Sequence, residues 1–262
     1  MIMTQKGTNK IYKQIKALKE RKNRDKEGLF IAEGLRFVNE IPYDWNIEYY
    51  AFSESFAEYN DLTLYEKRSG SYIFEDRLFK EFSETNSPQG ILAVCVQKKH
   101  IFEDIIEKNK NGLFVIAEEL NDPGNLGTII RTADACAVDA VFLSKGSVDL
   151  YNGKVLRSTM GSVFHVPVLV EIDMENCIDK FKKAGITLYA AHLHGTKTPY
   201  ECSLKEPSAF VIGNEARGLT ENTSSKCDCL IKIPMPGMAE SLNASVAAAV
   251  LMYEAVRQRL YK

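Results

Sequence analysis

The stretch Leu113-Phe-Val-Ile-Ala117 is five apolar residues without interruption, and Asn121-Asp-Pro-Gly-Asn-Leu-Gly127 follows it almost at once. An apolar run this short, closed by a turn-forming Asp-Pro-Gly, reads as a strand buried on both faces. Four more such runs follow: Ala140–Leu143, Thr187–Ala191, Ala209–Ile212 and Leu230–Ile233. Helical periodicity lies between several of them, over 127–136 and 174–184, and a long apolar stripe over 242–260 comes after the last. Doubly buried strands alternating with helices predict an α/β fold on a mostly parallel sheet.

Toward the N terminus the runs are shorter and more mixed. Leu29-Phe-Ile-Ala32 predicts a strand, 34–41 a helix, Ile47–Phe52 a strand and 73–82 a helix or edge element. The turn cluster Thr85-Asn-Ser-Pro-Gln-Gly90 leads into a buried strand, Ile91–Val96. The expected organisation is a small α/β domain over 1–100, a polar linker with a short helix over 101–111, and the larger α/β domain over 112–262. A chain of 262 residues suits that division at roughly 150 residues per domain.

Composition narrows the function classes. With 45% hydrophobic and 26% charged residues, the chain is neither disordered nor collagen-like. A net charge of −2 excludes a uniformly basic nucleic-acid binder. Locally the charge differs: nine Lys/Arg fall within residues 1–26, against Glu20 and Asp25. Ile11, Ile15 and Leu18 recur at helical spacing, so the segment predicts an amphipathic helix with a cationic face. Such a face suits a phosphate backbone, and Lys13, Lys16, Arg21, Lys22 and Arg24 are the candidate RNA contacts. A solvated helix surface is the plain alternative, while a narrow stripe without aromatic anchors disfavours a membrane surface. No apolar run approaches the ~20 residues that span a bilayer. Met1–Lys10 is polar and holds no signal-peptide core, so a soluble cytoplasmic protein is expected. Cys95 and Cys136 lie in apolar stretches and read as small buried hydrophobes. Cys227-x-Cys229 and His192-x-His194 offer ligand chemistry at a spacing tighter than zinc sites prefer, and no metal is expected.

Open α/β sheets bind ligands beyond the carboxyl ends of their strands, and three unusual loops stand there. The first carries Asn125, with Arg131 farther along the following helix. Asn125 also reads as a helix cap and Arg131 as an outward charge. The second is Gly213-Asn-Glu-Ala-Arg-Gly218, whose glycines permit tight turns and close ligand approach. It is neither the dinucleotide spacing G-x-G-x-x-G nor a P-loop, and Glu215 is a site carboxylate or a helix cap. The third, Ile233-Pro-Met-Pro-Gly237 through Ser241-Leu-Asn243, enters the longest helix. There Ser241 or Asn243 serves as N-cap, as a site residue, or both. No G-x-S-x-G elbow precedes a helix, which excludes the usual hydrolase triad.

In combination and in this order, the three loops resemble the motifs of the SpoU-type RNA 2′-O-ribose methyltransferases of the SPOUT superfamily, over about residues 112–260. Arg157-Ser-Thr-Met-Gly161 extends the match. Leu29-Phe-Ile-Ala-Glu-Gly34 and Pro88-Gln-Gly90 resemble the family's accessory α/β RNA-binding domain. The resemblance implies a C-terminal trefoil knot, a topology general folding rules make very rare. It also implies S-adenosylmethionine bound in that knot, a homodimer with the active site near the interface, and ribosomal or transfer RNA as partner. Residue by residue, Asn125, Arg131, Glu215, Ser241 and Asn243 match the family's polar active-site positions. Gly213, Ile233 and Leu242 match positions that contact the methyl donor, and Leu193 and Gly195 lie in the less regular donor segment 191–195.

The implied reaction is attack of a ribose 2′-oxygen on a sulfonium methyl. Alignment of donor and acceptor is worth up to ~7–11 kcal/mol, and fixed donors stabilise the charge developing on the oxygen. Arginine, with a pKa above ~12, is a poor proton acceptor, so Arg131 is expected to act electrostatically and Glu215 to orient it or a loop amide. The competing expectation is a non-catalytic RNA-binding or ribosome-associated protein that retains the fold. Donor binding discriminates between the two.

Overall fold

The computed structural model describes residues 5–260; Met1–Thr4 of the polar start lie outside them. Two compact units divide the chain. One takes the residues through Lys98 together with Tyr151–Arg157, and the other takes Lys99–Leu150 and the residues from Ser158 onward.

The first unit contains β1 (Gln5–Lys6), α1 (Asn9–Ala17), α2 (Arg21–Glu27), β2 (Leu29–Glu33), α3 (Leu35–Asn39), β3 (Ile47–Ser53), α4 (Glu54–Tyr59), α5 (Thr63–Glu66), β4 (Gly70–Phe74), α6 (Asp76–Phe82) and β5 (Ile91–Val96). Its five strands are ordered β1-β4-β3-β5-β2, with β4 parallel to both neighbours and β5 antiparallel to both of its own. Ile15 and Leu18 are buried in one core with Leu29, Ala51, Phe79, Phe82, Leu92 and Val94. That burial explains the apolar spacing of the basic segment, but the segment is two helices. Thr8 caps α1, and α2 ends at Gly28 in a left-handed conformation. The break at 18–20 corrects the surface expected there. Arg24 is only 4% exposed and donates to the carbonyls of Leu18 (2.8 Å) and Lys19 (2.6 Å), so it closes the end of α1 and does not serve as a surface cation. Lys16, Arg21 and Lys22 are exposed and paired with Glu81, Asp25 and Glu20. Lys13 is exposed and makes no ion pair among the described residues.

The second unit holds α7 (Phe102–Lys108), β6 (Leu113–Ala117), α8 (Pro123–Ala135), β7 (Ala140–Ser144), β8 (Val168–Ile172), α10 (Met174–Lys183), β9 (Thr187–Ala191), β10 (Ser208–Ile212), α11 (Glu221–Lys226), β11 (Cys229–Ile231) and α12 (Ala244–Leu260); α9 (Gly153–Thr159) lies in the first unit through Arg157. All six strands are parallel, in the order β11-β9-β10-β6-β7-β8. The five continuous apolar runs are β6, β7, β9, β10 and β11, and the first four hold the middle of the sheet. The segment expected as a linker carries core. Ile105 is 7% exposed, and the Phe102 ring packs 5.1 Å from Phe181 and 5.5 Å from Phe142. The last helix, α12, packs on α8. Gln258 and Arg259 fasten its end, donating to Cys202 and Pro199 and to Leu204 and Gly112. No helix among the described residues is long and apolar enough to cross a membrane.

Candidate active site

Strands β6 and β10 lie side by side with Ala117 opposite Ile212, so the loops leaving them start together. Glu118, buried, accepts hydrogen bonds from the Thr220 amide (2.8 Å) and from the hydroxyls of Thr220 and Thr223. This binds the far end of the β10 loop to β6. The loop closes on itself: Asn214 and Gly218 exchange backbone hydrogen bonds at 3.1 and 2.9 Å. The Asn214 side chain accepts from the Ala216 and Arg217 amides and donates to the Glu119 carbonyl at 2.7 Å. Gly213 is required by sterics, since a Cβ there would sit 2.3 Å from the Gly218 carbonyl carbon and the Leu219 nitrogen.

The loop presents the Glu215 carboxylate to the start of α8. It accepts from the amides of Asn121 (3.2 Å) and Asp122 (3.0 Å) and from Asn125 Nδ2 (3.0 Å). Partial desolvation pulls the Glu215 pKa up, but these hydrogen bonds prevail and hold it below the usual carboxylate value. Asn125 Oδ1 accepts from Asn243 Nδ2 at 2.8 Å, and Asn243 Oδ1 accepts the Ser245 amide at 2.9 Å. Both amide orientations follow from chemistry. An ionised Glu215 only accepts and a backbone N–H only donates, so neither asparagine can be turned around. Asn243 therefore caps α12, whereas Asn125, 8% exposed, sits inside the first turn of α8 and Asp122 caps that helix. Two helix N-termini converge here, a setting that favours negative charge.

Beside this network lies a cavity of about 390 Å³, in the range of small-ligand pockets. Buried Ile212, Gly213, Leu219 and Ile231 form its deeper wall, and Ile233, Leu242, Leu193, Ser241 and Glu215 also line it. Gly195 does not line it but supports it. A Cβ on Gly195 would come within 2.6 Å of the Ile231–Lys232 peptide, so the turn after β9 lies directly on the exit of β11. The segment Ile233–Leu242 contributes Ile233, Met235, Ser241 and Leu242 to the wall and makes no hydrogen bond among the described residues; Met238 is fully exposed.

Four of the five expected catalytic residues are gathered here: Asn125, Glu215 and Asn243 in one hydrogen-bonded chain, Ser241 on the cavity wall. Arg131 is not. It lies six residues beyond Asn125, about 9 Å along α8 and ~120° around it. It is exposed, does not line the cavity, and its side chain makes no hydrogen bond or ion pair among the described residues. Sequence reasoning missed Asn214, whose side chain braces the loop, and Lys232, which lines the cavity. Among the described residues, no three His, Cys, Asp or Glu side chains converge as metal ligands.

Residues 112–253 match the model of the SpoU rRNA Methylase family, and residues 9–93 match an MRM3-like substrate binding domain. The chain is 35% identical over 254 residues to the 23S rRNA (guanosine(2553)-2′-O)-methyltransferase RlmP of Bacillus subtilis, covering 97% of this chain and 98% of the relative. The crystal structure of the SpoU methyltransferase AviRb from Streptomyces viridochromogenes, in complex with the cofactor AdoMet, superposes with a TM-score of 0.88 at 29% identity, covering 97% of this chain and 99% of that one. An AdoMet-bound rRNA methyltransferase from Sinorhizobium meliloti gives 0.85 at 29% identity, covering 99% of each chain. Sequence motifs, parallel sheet and converging loops thus lead to one assignment: the chain belongs to the SpoU rRNA methylase family.

Proposed function

We propose that this protein transfers the methyl group of S-adenosylmethionine to a ribose 2′-hydroxyl of RNA, with 23S ribosomal RNA as the substrate class. The observation that carries the reading is the adjacency of a preformed cavity to the Glu215–Asn125–Asn243 chain at two helix N-termini. The cavity suits the donor. Its apolar wall would receive the adenosine, and the loop residues Gly213, Ile233 and Leu242 on its lining would hold the donor through backbone groups. S-adenosylmethionine supplies the electrophilic methyl carbon; the chain's own residues position the nucleophile. Asn125 and Asn243 hold ribose or phosphate oxygens, Ser241 lines the approach, and Glu215 keeps the Asn125 side-chain amide and the Asn121 and Asp122 backbone amides in register. Arg131 stabilises the negative charge developing on the 2′-oxygen.

Arg131 lies away from the cavity in one chain, and this supports a homodimer in which the partner completes the site. Val246, Tyr253 and Leu260 support it too: they recur every seventh residue of α12 and are all exposed. The laying of Gly195 on the Ile231–Lys232 backbone supports a C-terminal chain threaded as a trefoil knot. The 1–100 domain is read as the RNA-holding module, and the cytoplasm as the compartment. Titration calorimetry with S-adenosylmethionine tests the donor site. Mapping of 2′-O-methyl positions in cells with and without the gene tests the reaction. Absence of donor binding leaves only the non-catalytic alternative.

A further inference from the structure

We propose that Lys232 and the adjoining His192–His194 turn form a phosphate-binding lip on the cavity, which holds the RNA backbone beside the ribose being methylated; the proposal rests on the cavity being the methyl-donor site. The lip is built by the fold. The His192 amide donates to the Ile231 carbonyl at 2.9 Å, the Lys232 amide to the Lys197 carbonyl at 2.8 Å, and Gly195 presses on the peptide between Ile231 and Lys232. The two imidazole rings stand 5.6 Å apart, and His192 Nδ1 accepts the His194 amide, which leaves Nε2 as the protonated nitrogen of the neutral ring.

Charge then singles out Lys232. Among the described residues, the only carboxylate on the cavity wall is Glu215, and its oxygens are taken by Asn121, Asp122 and Asn125. The other cation on the wall, Arg217, is already paired with Glu119. The Lys232 ammonium makes no ion pair among the described residues. A cation on a ligand-binding wall that makes no ion pair within the chain is free to meet an anionic group of the ligand. Two anionic groups enter this reaction, the donor's carboxylate and the RNA phosphates. The donor carries a sulfonium and an ammonium besides its carboxylate, so a further cation beside it gains little. The position also favours RNA: Lys232 and His194 are exposed, whereas the deeper wall is apolar and buried. A macromolecule laid across the mouth meets the lip first.

The test compares the wild-type chain with Lys232→Ala and Lys232→Arg, full length, binding protein-free 23S ribosomal RNA over a salt series, with S-adenosylmethionine affinity measured in parallel by calorimetry. Lys232→Ala is expected to weaken RNA binding about three- to tenfold and to flatten the plot of log K against log salt by about 0.7–0.9. Lys232→Arg keeps the wild-type slope, and donor affinity stays within about twofold in both variants. An unchanged slope in Lys232→Ala overturns the proposal. So does a loss of donor affinity with RNA binding intact, which assigns the lysine to the donor's carboxylate. A wild-type chain that binds no donor at all refutes the methyltransferase reading instead, and the salt slopes still decide what Lys232 does.

Discussion

Glu215→Gln isolates the polarity of the site. The carboxylate receives three N–H groups, two on Oε1 and one on Oε2. Glutamine offers one oxygen and one amino group of nearly the same shape. With its oxygen in place of Oε1, the amino group opposes the Asn121 N–H; turned around, it opposes two donors. At least one hydrogen bond is lost, and the survivors change from charge-assisted to neutral. Bonds to charged groups contribute about 1.5–3 kcal/mol and neutral ones about 0.5–1.5. The low ends of these ranges give a cost of about 3.5 kcal/mol, and solvent, which reaches this carboxylate, screens it to about 2 kcal/mol. That lowers the melting temperature of the second unit by about 4–8 °C, read by calorimetry at neutral pH. The pH dependence carries the sign. The folded-state pKa of Glu215 is depressed. Its contribution is therefore complete above the unfolded value of about 4.3 and disappears as pH falls through the folded value. The gap between wild type and variant must close below that range. A neutral-pH gap under about 1 °C, or one that persists unchanged into acid, would falsify the account of this network.

Arg131→Ala is expected to abolish methyl transfer while melting behaviour and donor binding persist; near-normal turnover removes it from the mechanism. Mixing Arg131→Ala with Glu215→Gln chains should restore part of the activity through heterodimers that carry one intact composite site, and no recovery would show that each chain works alone. Removing α1 is a poor test of RNA binding, because Ile15 and Leu18 leave the core with it. Lys13→Glu with Lys22→Glu reverses surface charge instead, and should weaken RNA binding and flatten its salt dependence by about 0.7–0.9 for each phosphate no longer neutralised; an identical slope returns this face to plain solvation. Gly213→Ala forces a methyl to 2.3 Å from the Gly218–Leu219 backbone, so donor affinity should collapse in a chain that still folds, and unchanged calorimetry would contradict that close approach.

Sequence reading succeeds where one physical signal dominates. Strands buried on both faces carry no polar interruption, which makes β6, β7, β9 and β10 legible, while the half-buried edge strand β11 is legible from its short apolar run. The sixth, β8, is the other sheet edge: Val170 is 45% exposed and Glu171 follows it, so the apolar run is broken. Helix starts are harder to place. Asn125 reads as the cap of α8 because the preceding Asp-Pro-Gly reads as a turn, whereas Pro123 is the first residue of the helix and Asp122 the cap. Arg24 is unreadable for another reason. An arginine that turns inward to satisfy carbonyls at a helix break has the same local sequence as one facing water. The ordered chain Glu215–Asn125–Asn243 joins residues ninety or more positions apart, and only the motifs hint that they meet.

The ribbon from Ile233 to Leu242 bears on affinity. The backbone beside it is closely packed, with no space for a Cβ at Gly195 or Gly213. The ten residues of this ribbon carry no hydrogen bond among the described residues, and Met235 among them rests on the cavity wall. Two prolines, Pro234 and Pro236, already limit how many shapes that ribbon samples when empty. A ribbon with few shapes to sample gives up little freedom when a ligand settles against it, so more of the contact energy is left for affinity.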